Sequence, residues 1–176
     1  ERIGGGPLLL KLHYTADPKK RAAVNCLRPF GKVCFVCEEV DKLFALAKME
    51  SDPADAKVIT DKAKDMAAKY RVFANIIDID HPEKGVQRFA FGPDVERKLR
   101  ACFVDDDGEF RDITDPTSGR DIIMEVQKKA QSDWNEYTTV RAKEKVSPLA
   151  DKDWLLSIAD LSELTKEPSA ADVEKA

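Results

Sequence analysis

Hydrophobic positions change period several times along the chain, and each change marks an element. Leu8-Leu9-Leu10-Lys11-Leu12-His13-Tyr14 predicts a short strand after the glycine-rich entry Ile3–Pro7. Asp17–Arg21 reads as a polar turn and Ala22–Cys26 as the returning strand. Leu27–Val33 is a basic loop carrying one aromatic. Beyond Cys37 the period becomes helical, with Val40, Leu43, Phe44 and Ala47 at i, i+3, i+4, i+7. Ser51-Asp52-Pro53 ends that helix and opens a second, over 53–68, with an N-cap and proline at the first helical position. Tyr70–Asp80 is the most β-rich run. The turn His81–Gly85 and the strand Val86–Phe91 then complete a hairpin. Two-residue alternation puts Phe89 and Phe91 on one face and Arg88 on the other. A helix over 94–103 follows, and Phe110–Ile113 reads as a short strand between the turns Asp105–Gly108 and Asp115–Gly119. Arg120–Val126 and Glu136–Val140 pair as a second hairpin across the loop Gln127–Asn135. Asp153–Leu164 reads as a helix with Trp154, Leu155, Ile158 and Leu161 as its apolar side, and the residues after Pro168 as a frayed end.

The predicted class is mainly β with inserted helices (α+β): an OB-fold-like barrel with a zinc-binding subdomain. The expected organisation is a core over 1–168, with a metal segment at 13–37, inserted helices at 36–68, and the start of an acidic tail at 169–176. The chain starts without Met, which predicts a piece of something longer. No apolar run approaches 18 residues, so no helical membrane span is expected.

Composition adds one correction. The formal net charge is only −4, yet residues 1–36 hold seven Lys/Arg against two Asp/Glu, and 153–176 hold two Lys against six Asp/Glu. The balance conceals a basic beginning and an acidic end.

The chemistry concentrates in His13-x12-Cys26-x7-Cys34-x2-Cys37. Three thiols and an imidazole close a tetrahedral zinc shell, leaving no position for water, as in structural sites. A redox CxxC pair or a disulfide framework competes with this reading. The first normally follows a βαβ pattern and the second accompanies secretion, and neither a βαβ pattern nor a signal peptide is evident. Cys102 reads as a core residue and His81 as part of a solvated turn.

Catalytic sets are absent. The acidic residues Asp105–Asp107, Asp112 and Asp115 could form a two-metal nuclease, but they sit in turns. The deaminase signature needs a glutamate that His13-Tyr14-Thr15 lacks, and no glycine-rich nucleotide loop occurs. Cations interleaved with aromatics instead fit a groove for single strands, where phosphates need charge and bases need π-faces. Candidates are Arg28, Phe30 and Lys32 on the metal loop. The first hairpin adds Lys69, Tyr70, Arg71, Phe73, Arg88, Phe89 and Phe91, and the second adds Arg120, Lys128, Lys129, Trp134, Tyr137 and Arg141. Core packing is the competing role for Phe73, Phe91 and Trp154.

Several of these motifs together resemble a known family, the replicative single-stranded DNA-binding proteins of T-even-type bacteriophages, which are zinc-containing OB-folds. The resemblance runs from about Pro7 to Thr165. It rests on the His-x12-Cys spacing and on Cys-x2-Cys after a short basic loop with an aromatic. Phe73-Ala74-Asn75-Ile76, Phe89-Ala90-Phe91-Gly92 and Asp160-Leu161-Ser162-Glu163-Leu164-Thr165 add to it. It implies base stacking at Phe30, Phe89 and the Trp134–Tyr137 region, with Tyr70 near a further position where Val72 replaces the family's tyrosine. It also implies a non-enzymatic, cooperative, largely sequence-independent DNA-binding role in replication, recombination and repair, in the cytoplasm of an infected bacterial host. Self-association would use a basic N-terminal arm preceding Pro7, and replication proteins would be recruited through an acidic C-terminal tail. The rival functions are a zinc-stabilised module whose basic faces meet acidic protein partners, and a zinc-dependent nucleic-acid enzyme.

Overall fold

The computed structural model describes residues 7–14, 23–128 and 135–174. It is a mixed α+β chain whose strands form a four-stranded sheet, in the order β2 (Ala23–Asn25), β1 (Leu8–Tyr14), β3 (Lys69–Ile77), β4 (Val86–Phe91), and a separate hairpin of β5 (Ile122–Lys128) and β6 (Asn135–Ala142). The antiparallel pairing of β1 with β2, and of β3 with β4, is compatible with an OB-like arrangement. None of the helices among the described residues is long and apolar enough to cross a membrane.

The chain divides into two compact units, and β3 (Lys69–Ile77) passes from one into the other. The first unit comprises Leu8–Arg71 and Asp160–Ala176. In it β1 (Leu8–Tyr14) pairs with β2 (Ala23–Asn25), setting Leu12 opposite Asn25 and His13 opposite Val24. A 3-10 turn at Arg28–Phe30 closes on Gly31, whose φ of 71° suits glycine. Helix α1 (Phe35–Met49) starts earlier than the apolar period indicates, with Cys34 at the N-cap position but no side-chain capping bond. Helix α2 (Pro53–Met66) follows the predicted signal, with Asp52 Oδ1 accepting from Ala54 N at 2.7 Å. The chain returns as a 3-10 turn at Leu161–Thr165 and helix α4 (Ala170–Glu174). Residues 170–174, within the end expected to fray, thus form a helix. Ser169 and Asp172 cap one another across α4, with Asp172 N donating to Ser169 Oγ at 3.2 Å and Ser169 N to Asp172 Oδ2 at 3.2 Å.

The second unit is built on Val72–Ala159. Here β3 and β4 (Val86–Phe91) form the expected hairpin in the register Val72↔Phe91, Ala74↔Phe89, Asn75↔Arg88. Its turn ends on Gly85 at φ 62°, ψ −151°, a region that only glycine occupies comfortably. Helix α3 (Pro93–Ala101) is followed by an isolated bridge between Val104 and Phe110 instead of a full strand. The second hairpin, β5 (Ile122–Lys128) with β6 (Asn135–Ala142), carries a bulge at Glu125/Val126. The core of this unit is Val72, Phe91 and Val95, surrounded by Ala74, Phe89, Leu99, Met124, Tyr137 and Val140.

The helix predicted over Asp153–Leu164 does not form. Two 3-10 stretches, Lys152–Ser157 and Leu161–Thr165, replace it. Ala159 gives both its backbone groups to one side chain: its N donates to Asn75 Oδ1 at 3.2 Å and its O accepts from Asn75 Nδ2 at 3.0 Å. Those groups are then lost to a helical ladder. Asp160 instead accepts from Ser162 N at 2.9 Å and starts a new turn. Replacing Asn75 by Ala removes two partly buried hydrogen bonds and should cost about 1–3 kcal/mol, read as a lower urea midpoint. An unchanged midpoint would show that this clamp holds nothing.

Candidate metal centre

Three elements meet at the cysteine cluster. His13 comes from β1, Cys26 lies just past β2, and Cys34 and Cys37 sit at the N-cap and first turn of α1. Local backbone bonds fix their approach. Cys26 N donates to Lys11 O at 2.8 Å, and Glu38 N donates to Cys34 O at 3.0 Å. A CxxC pair at a helix start places its two thiols on one side of a single turn, which explains the convergence of Cys34 and Cys37.

The four donor atoms lie within 4.8 Å of one another, and all four residues are buried. Cys26 Sγ is 3.5 Å from Cys37 Sγ, and His13 Nε2 is 3.3 Å from Cys34 Sγ and 3.5 Å from Cys37 Sγ. Metal–ligand bonds of about 2.3 Å to sulfur and about 2.0 Å to nitrogen give tetrahedral edges of about 3.5–3.8 Å. The cysteines are unpaired, and 3.5 Å greatly exceeds the roughly 2.05 Å of a disulfide. The residues fit a metal ion.

Electrostatics agree with the geometry. Burial lowers the His13 pKa, with Lys11 and Arg28 adding to the effect. The Met66 backbone pulls the other way, but His13 Nδ1 makes no hydrogen bond of ordinary geometry, so burial governs and favours the neutral ring. Neutral imidazole is the form that binds metal. Burial, then Cys26 and Cys34, push the Cys37 thiol up to about 12. For Cys34, burial acts upward, but hydrogen bonds from the backbones of Cys37 and Leu27 and from the Cys37 and Cys26 side chains together outweigh it and lower the pKa. Cys37, crowded by its neighbours in a dry setting, resists becoming a thiolate unless a cation sits beside it.

One contributor was not legible in the metal motif. Val173 of α4 is fully buried against Cys26, Leu27, Cys34 and Cys37, with Val24, Val36 and Ala68 around it. Asn25 Nδ2 ties the returning chain down, donating to Leu164 O at 2.7 Å and Lys166 O at 2.9 Å. The spacing Ser169-x-x-Asp172 was the available signal for α4.

The remaining candidates separate into several settings. On the metal loop, Arg28 pairs with Asp41, Lys32 pairs with Glu167, and Phe30 is half-buried. Tyr70 is 49% exposed, with Lys11 Nζ 5.4 Å from its ring centre, and Arg71 lies 5.6 Å from the Tyr14 ring. Lys69 Nζ donates to Lys64 O at 2.5 Å. In the second unit, Phe91 is 5% exposed and belongs to the core, so its ring faces are taken. Phe89 is half-buried beside it and meets Tyr137 edge-on at 6.3 Å. Phe73 and Arg88 belong to the opposite set of β3–β4 positions, Phe73 half-buried and Arg88 exposed. Arg120 donates to Lys143 O at 3.2 Å, Lys128 is exposed, and Trp134 and Lys129 lie outside the described residues.

The acidic turns are caps. Asp105 Oδ1 accepts from Asp107 N and Glu109 N, and Asp112 Oδ1 from Thr114 N. Asp115 accepts from the Thr117 hydroxyl and from Ser118 and Thr117 N–H groups, which hold its carboxyl well below the usual range. Among the described residues, His13, Cys26, Cys34 and Cys37 are the one grouping placed to hold a metal ion. No protein-family model matches the chain, and no curated protein matches it.

Truncating Val173 to Ala opens a void against the cluster and should destabilise the first unit by about 2 kcal/mol. Denaturation followed by circular dichroism measures this, and a wild-type midpoint would mean that α4 does not seal the site.

Proposed function

We propose that the chain is a non-enzymatic single-stranded DNA-binding protein whose structural zinc fixes a basic, aromatic-bearing loop. The observation carrying this reading is the buried Cys3His cluster, whose ligands Cys26 and Cys34 bracket the segment holding Arg28, Phe30 and Lys32. Zinc matches the donor set, since thiolate and imidazole in a closed tetrahedral shell are its habitual structural ligands. The loop's two cations rest against Asp41 and Glu167, each pair with side chains at least 41% exposed. Exposed pairs contribute little, so a phosphate can replace either carboxylate cheaply. Tyr70, Phe30, Phe89 and Tyr137 supply partly accessible rings of the kind on which bases stack. The OB-like sheet and the resemblance to phage replicative DNA-binding proteins support the same role in replication, recombination and repair.

Oligo-dT binding, followed by fluorescence anisotropy across a salt series, tests the reading. Affinity should fall steeply with salt, with a log–log slope of about −0.7 per phosphate neutralised. Stripping the metal with a chelator should abolish binding, because metal affinity and folding of the loop are one free energy. Phe30→Ala should cost about 1–3 kcal/mol of binding. Binding indifferent to salt and chelator alike would exclude this function and favour a protein-interaction module.

A further inference from the structure

A cleft of about 110 Å3 lies beside the metal ligands within the first unit. Lys11, Arg28 and Asp41 supply its charge, and Cys37, Val40 and Ala67 help form its walls. At roughly 30 Å3 per water, that volume holds several waters or one tetrahedral anion. Its charge is unbalanced: two cations meet one carboxylate. Arg28 is paired with Asp41, whereas Lys11 forms no ion pair among the described residues and spends its ammonium on the Tyr70 ring. The cleft therefore combines a cation without a carboxylate partner and a second cation held by a displaceable carboxylate, and the half-exposed Tyr70 ring lies against its Lys11.

We infer that this cleft is a phosphate subsite, in which a backbone phosphodiester is held between Lys11 and Arg28 after displacing Asp41. Arg28 is suited to the task, since its guanidinium fork matches two oxygens of a phosphate as well as of a carboxylate. Asp41 is the internal stand-in for that anion. Tyr70, beneath Lys11, places a stacking surface one side chain from the phosphate. Lys11 carries no signal in the sequence: it is one lysine within an apolar strand, and only folding brings it to Arg28. The inference rests on the single-strand reading and adds to it a specific phosphate position and an intramolecular competitor.

The test compares oligo-dT binding by wild type, Lys11→Gln and Asp41→Asn over a salt series, with zinc content checked for each. Lys11→Gln should flatten the log–log salt slope by about 0.7 and weaken binding roughly tenfold near about 50 mM salt. Asp41→Asn should bind severalfold tighter, because Arg28 no longer has a resident anion. Inorganic phosphate should shift the NMR signals of Lys11 and Arg28, and oligo-dT should compete with it. If wild type binds oligo-dT while both variants match it in affinity and slope, the subsite is wrong and the DNA-binding reading stands. If wild type does not bind, both fall together. Phosphate binding without competition by oligo-dT would make this a free-anion site and overturn the strand assignment. Loss of zinc from Lys11→Gln with an unchanged salt slope would make Lys11 a counter-charge for the metal centre, which also overturns it.

Discussion

Three thiols and an imidazole, drawn from a strand, a loop and a helix start, must occupy one dry space with their donor atoms 3.3–3.5 Å apart where they touch. Uncompensated, that arrangement is unfavourable, since burial opposes thiolate charge and the thiolates oppose one another. A cation removes both penalties at once. Around the cluster the apolar support is thin: Leu27 and Val173 are the buried aliphatic residues packed directly with Cys26, Cys34 and Cys37. A metal ion held there would do for the first unit what a larger hydrophobic core does elsewhere, and would fix the Arg28–Phe30 turn between its ligands.

The second unit depends on ordinary packing. Val72 and Phe91 face one another across β3 and β4, Val95 of α3 packs on them, and the β5–β6 hairpin contributes Met124, Tyr137 and Val140. This packing decides which aromatics remain available. Phe91 is consumed by the core, Phe89 and Tyr137 are partly covered by each other, and Phe73 belongs to the opposite set of strand positions. The alternation expected from the sequence holds: Phe89 and Phe91 share one face of the hairpin, and Phe73 and Arg88 share the other.

Legibility followed sequence distance. Strands β1, β3 and β4, helices α1 and α2, and the His/Cys cluster all have local signals: β-rich runs, a 3.6-residue period, an Asp-Pro start, a CxxC pair. The failures involve partners far away. Asn75 and Ala159 are 84 residues apart, and their clamp converts a helical pattern into two short turns. Lys32 and Glu167 are 135 residues apart, so nothing near the metal loop announces its anionic partner. Val173 reads as a frayed tail residue until the cluster it covers is known. Lys11 and Asp41 likewise acquire meaning only where the fold brings them together.

X-ray absorption at the zinc edge of the purified protein tests most directly whether these four residues hold a metal. The expected result is one zinc per chain, with three sulfur neighbours at about 2.3 Å and one nitrogen at about 2.0 Å. A protein that folds without bound metal, or whose cysteines are recovered as disulfides, would contradict it.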